Sequence, residues 1–195
     1  MSGKGVKNVV TEAKDGFVGA IEGVGDIAGS IVDTVSGIMV RTLRGTNAVG
    51  GELLALGAAT VTGVVAGVAE VGVAAGSAAR SIMVGTLRGA QQVGKVTIDT
   101  VSTNAGALVR GTADVGGDVG TAAKGAVEGA IEAARDLGMS AEQAAGAAAS
   151  GALRAAGDVS STAVGQVRKA LTGTISGVKD VLQQPFRSED RKRAS

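Results

Sequence analysis

Apolar and polar positions recur along this chain with an eleven-residue period. The clearest trace is a pair of near copies, GIMVRTLRGTNAVG from Gly37 to Gly50 and SIMVGTLRGAQQVG from Ser81 to Gly94, which match at 9 of 14 positions and lie four periods apart. A frame of that length slid outward from them divides Gly5 to Asp180 into 16 units without insertion or deletion. Three turns of an α-helix take about 10.8 residues, so each position of such a unit returns to nearly the same side of a helix. Counted from Gly5, positions 1, 5, 9, 2 and 6 fall in that order on one arc of about 130°. Along that arc only Glu142 is charged, and every other Asp, Glu, Lys and Arg of the block falls outside it, so the arc is predicted to be the buried face.

The larger apolar side chains concentrate at one edge of the arc, at position 6. The strip expected to meet an apolar surface comprises Val10, Phe17, Ile21, Ile31, Val32, Leu43, Leu54, Val65, Leu87, Ile98, Val109, Ile131, Leu153, Val164 and Ile175. Position 10, just beyond that edge, carries bases such as Lys14 and Arg80, and position 11 carries acids such as Glu70, Asp136 and Asp158. The predicted fold is mostly α: a long amphipathic helix of three-turn period, or helical hairpins, elongated in either case. Residues 1–4 form a polar lead, 5–180 the repeat block, and 181–195, beginning just before Pro185, a charged tail expected to be disordered.

Composition changes this picture in two ways. Gly contributes 33 residues, 32 of them inside the repeat block, and each costs about 0.8 to 1 kcal/mol relative to Ala in a helix. A lone helix in water is therefore opposed, and the sequence predicts conditional folding, with the helix formed where its strip finds a surface to bury it. Close helix packing within a bundle is the other use of so many glycines. Aromatics are limited to Phe17 and Phe186, so a thick core of large side chains is not expected.

Chemistry is the second change. The chain has no Cys and no His, which removes thiol and imidazole catalysis and the usual zinc ligands, and a net charge of +1 gives no strong pull toward nucleic acid. No enzyme activity, metal or cofactor is expected. GVGDIAG from Gly23 to Gly29 is similar to a phosphate-binding glycine loop, but no strand precedes it and its glycines belong to the frame. Ser176 and Lys179 have the SxxK spacing of some acyl-enzymes without any partner motif, and Asp114 with Asp118 reads as a solvated helix face. The uncharged run from Leu53 to Ala69 is just long enough to raise a membrane hairpin over residues 53–79, with Gly63 and Gly67, then Gly72 and Gly76, at GxxxG spacing. The N-terminus lacks the apolar core of a secretory signal, so a cytoplasmic protein is expected.

Tandem units rich in Val, Thr, Gly and Ala, such as VGQVRKALTGTISGVKDVL from Val164 to Leu182 and VGKVTIDTVSTNAGALVRGTADV from Val93 to Val115, resemble the lipid-droplet-binding repeats of perilipins. More distantly they are similar to exchangeable apolipoproteins, synucleins and group 3 late-embryogenesis-abundant proteins, although the KTKEGV core of synucleins is absent. The resemblance implies a helix lying on a lipid droplet or membrane surface, a peripheral cytoplasmic location, and a lipid surface as partner. The leading expectation is thus a non-enzymatic lipid-surface coat. The alternatives are a self-associating structural bundle or filament and an integral membrane hairpin.

Overall fold

The computed structural model describes residues 3–21, 27–45 and 51–172. Among them the chain forms eight helices and no strand: α1 Gly3–Ile21, α2 Ile27–Arg44, α3 Gly51–Val71, α4 Ala75–Gln92, α5 Ile98–Asp114, α6 Val119–Asp136, α7 Ala141–Val159 and α8 Ser161–Thr172. The repeat does not run as one rod. Helices are broken at Gly72, Gly94, Gly116 and Gly138, one in every second unit of the frame, each with φ between 67° and 78°. That conformation is open to Gly because it has no Cβ. It ends each helix with a backbone N–H reaching five residues back: Val73 to Val68, Lys95 to Ala90, Gly117 to Thr112 and Met139 to Ala134.

The next helix is started by a side chain. Thr97 accepts from the Thr100 N–H and completes a reciprocal box with it, Asp118 accepts from Thr121, and Ser140 accepts from Gln143. Ser160 does the same for Ala163 at 3.1 Å. These caps satisfy backbone donors that a helix start leaves unpaired. α4 begins without one, at Ala74.

Because the turns are short, successive helices are antiparallel and every second helix is parallel. The most extensive contacts join those parallel helices, α1 with α3, α3 with α5 and α5 with α7, and likewise α2 with α4 and α4 with α6, whereas α6 lies more extensively against α7 than against α8. The result is two layers, odd helices in one and even helices in the other, with the core between them. Phe17, Ile31, Val35, Leu56, Val61, Val64, Met83, Leu87 and Leu108 supply its larger side chains, all less than 2 % exposed. From α6 onward Ala dominates, with Ala122, Ala126, Ala148 and Ala152 fully buried, so the layers close up where the side chains shrink.

Within a layer the helices touch backbone to backbone. A Cβ added to Gly85 of α4 would lie 2.7 Å from the Val32 carbonyl oxygen and 2.9 Å from Val35 Cβ of α2, and one added to Gly89 would lie 2.8 Å from the Ser36 oxygen. Gly63 and Gly67 of α3 meet α1 at Val10 and Lys14 in the same way, Gly125 and Gly129 of α6 meet α4 at Gly76 and Arg80, and Gly151 of α7 meets Ser102 of α5. Any side chain at these points would hold the helices apart.

Candidate functional site

The predicted apolar strip lies largely inside the protein. Phe17, Ile31, Leu43, Val65, Leu87 and Val109 are buried; Val10, Val32, Leu54, Ile131, Leu153 and Val164 are half-buried; Ile98, in the first turn of α5, is exposed. The Ile21 side chain and Ile175 lie outside the described residues. Among the described residues no continuous strip is left open in this arrangement, because the opposite layer covers most of it.

The centre of the buried face is position 9 of the frame, whose described members from Ala13, Val35 and Gly57 to Ala145, Ala156 and Val167 are all buried. Position 6 carries the largest side chains but lies at the edge of the arc. The signal for position 9 was its place in the middle of the arc. Glu142, which interrupts the arc, sits exposed in the first turn of α7, where a carboxylate faces the positive end of the helix.

The segregated charges bridge parallel neighbours. Lys14 Nζ of α1 lies 2.9 Å from Glu70 of α3, Arg80 and Arg88 of α4 lie 2.7 and 2.6 Å from Glu132 and Asp136 of α6, and Arg110 of α5 lies 3.1 Å from Asp158 of α7. In each, the base is on the earlier helix. The hydrogen bond to Glu70 holds the Lys14 ammonium above its usual range. The carboxylate of Asp118 is held below its usual range, first by the Thr121 backbone N–H and then by the Thr121 hydroxyl, at 3.0 and 2.8 Å. These pairs are exposed and screened by solvent, so they add little stability.

Two concavities stand out. A groove of about 700 Å³ crosses the outer face of the even layer, over the small residues Gly76, Ser77 and Ser81, and its charged walls include Arg80, Arg88 and Glu132, already engaged in the ion pairs above. A smaller cavity of about 170 Å³ lies between α3, α4 and α5 and is lined by apolar side chains such as Val68, Val73, Ile82 and Leu108. Neither gathers a nucleophile with a base, and the described residues hold no group of three or more metal-ligating side chains. Asp114 and Asp118 end one helix and cap the next. Of GVGDIAG, Ile27 to Gly29 form the first turn of α2 and the rest lies outside the described residues, as do Ser176 and Lys179.

α3 is the one described helix long and apolar enough to cross a membrane, with a mean hydropathy of 1.8 over its best 18-residue window, yet 56 % of that window is buried against the protein. No family model, curated protein or solved structure matches this chain.

Proposed function

We propose that this chain is a non-enzymatic structural protein, a helical scaffold whose parallel helices are joined through glycine and alanine faces. The observation that carries this reading is the docking of Gly63, Gly85, Gly129 and Gly151 onto the backbone of the parallel neighbour. The helix cost of glycine, which opposes a free helix, then has a use inside the molecule: it permits close contact and burial supplied by the chain itself. The repeat period suits such a scaffold, because two units make one helix with its turn and return the same face to the same neighbour. The test is circular dichroism in lipid-free buffer, where the scaffold predicts strong helicity lost in one cooperative thermal transition. Helicity that forms only on adding lipid would reject it.

A second reading, a coat on lipid droplets or membranes, is favoured by two observations. α3 is apolar enough to enter a bilayer, and Val71, Val115 and Val159, evenly spaced along the chain at the C-terminal ends of α3, α5 and α7, are 37 to 43 % exposed. On this reading the two layers part and each lays its inner face on the lipid, keeping its glycine contacts. Flotation with triglyceride droplets measures it: binding with retained helicity and loss of the cooperative transition supports the coat, and absence of binding removes it.

A further inference from the structure

The small cavity between α3, α4 and α5 runs from the core to one end of the bundle. Val68, Ile82 and Leu108, at most 5 % exposed, wall its inner part, whereas Ala69, Val115 and Gly117 are exposed at its rim, where α3 and α5 end in their glycine turns. Thr112 is the one polar side chain in a lining otherwise made of Val, Ala, Ile, Leu and Gly. It is 5 % exposed, and its hydroxyl has no hydrogen-bond partner among the described residues. The hydroxyls of Thr60, Thr62 and Thr86, by contrast, each donate to a carbonyl of their own helix.

The repeat supplies a comparison for this space. α4 and α6 begin 44 residues apart, each three residues after a glycine of positive φ. The same step carries Ala75, Ile82, Leu108 and Thr112 to Val119, Ala126, Ala152 and Ala156 of α6 and α7. All four of those counterparts are buried: small side chains let the layers close, and Val119 fills the place that corresponds to half-buried Ala75. Between α3, α4 and α5 the larger Ile82 and Leu108 hold the layers apart, Ala75 leaves the mouth unfilled, and Thr112 adds a hydroxyl that Ala156 lacks. The cavity therefore comes from these substitutions and not from the period.

Its volume is about 170 Å³, and an apolar cavity of about 150 Å³ takes a benzene-sized molecule. Water is held poorly in such a place, because one hydroxyl in an aliphatic wall gives it only one of the about three hydrogen bonds a buried water usually makes. A molecule with an apolar body and one polar atom satisfies the wall and the hydroxyl together. No charged side chain lines the cavity, and the exposed carboxylates of Asp114 and Asp118 adjoin the rim residues Val115 and Gly117 in sequence, which disfavours an anion. We propose that this cavity is a binding site for a small uncharged molecule, about the size of one six-carbon ring, whose single hydroxyl or carbonyl group bonds Thr112. The site exists only while the two layers are packed, so the inference rests on the scaffold reading above.

The experiment titrates benzene, phenol and benzoate into the full chain at neutral pH by isothermal calorimetry, with circular dichroism melting of the same samples. A cavity without a polar atom takes benzene and turns phenol away, since the phenol hydroxyl would be left unpaired. The unaltered protein should bind both benzene and phenol, and benzoate at least about tenfold more weakly than phenol. Thr112→Val, close in shape, should keep its benzene affinity and weaken phenol at least about fivefold. Ala78→Leu, which fills the cavity, should abolish binding of both and raise the melting temperature of the ligand-free protein. Should that variant not fold, Ala75→Val, for which Val119 is the precedent, takes its place and should weaken both. Folded protein that does not bind phenol, benzoate bound as tightly as phenol, phenol affinity unchanged by Thr112→Val, or affinity unchanged in a folded filling variant would each overturn the proposal. A cooperative lipid-free melt without binding rejects the cavity site alone, whereas unaltered protein without lipid-free helicity rejects the scaffold and the site with it.

Discussion

Gly85 and Gly37 occupy equivalent places on α4 and α2, one pressed against a neighbour and the other open, and alanine at each should change stability in opposite directions. In both helices the substitution removes the glycine penalty, a gain of about 0.8 to 1 kcal/mol. At Gly37 nothing lies within 4 Å of the new methyl, so that gain should appear almost whole. At Gly85 the methyl would stand 2.7 Å from the Val32 oxygen and 2.9 Å from Val35 Cβ. Both obstacles sit on or next to rigid helical backbone, so α2 and α4 must separate by several tenths of an ångström, and α2 takes its ladder of contacts at Ser36 and Met39 with it. Overpacking of this kind costs about 1 to 3 kcal/mol, which leaves a net loss of up to about 2 kcal/mol. Urea unfolding followed by circular dichroism reads both values on one scale. A Gly85→Ala variant as stable as Gly37→Ala would refute the close-contact account of the glycines and return them to being a burden on the helix.

Asp118→Ala should lower stability by about 1 kcal/mol through loss of the α6 cap, measured by thermal unfolding. Since the folded-state pKa of Asp118 is depressed, its contribution is fully present above the ordinary aspartate value of 3.8 and is lost as the pH falls through the lower folded value; the Ala variant should therefore lose less stability than the unaltered protein over that acid range, and equal losses would contradict the hydrogen bonding from Thr121. Asn104, 1 % exposed, has a side-chain nitrogen without a partner, so Asn104→Leu should be neutral or raise the melting temperature, with a gain of up to about 2 kcal/mol; a clear fall would show that the amide is satisfied after all. Leu87→Asp, at a fully buried site, should cost at least about 3 kcal/mol and abolish the cooperative transition, while Thr11→Asp on the exposed face of α1 should change little; similar losses from both would overturn the assignment of faces.

Much of the local structure was legible in the order of residues. A three-turn period puts the same positions on one side of any α-helix, so the uncharged arc announced both the helices and their buried side before any partner was known. The turns were written there as well. Position 2 of the frame holds Phe17, Met39, Val61, Met83, Ala105 and Val127 in alternate units and Gly72, Gly94, Gly116 and Gly138 in units between, yet a period of one unit conceals an alternation of two. What a period cannot state is the identity of the surface that meets the arc, because lipid, a second copy and another helix of the same chain all reward burial of the same side chains. Only the packing of one layer on the other decided that Leu87 and Val109 face protein. Tertiary structure also gave the scattered glycines two separate uses: Gly116 turns the chain because only a residue without Cβ adopts its φ of 73° cheaply, whereas Gly85 remains helical and admits the Val32 carbonyl. Bases and acids became pairs only when the second parallel helix arrived, since Arg110 and Asp158 are 48 residues apart and no rule of spacing along one helix could have joined them.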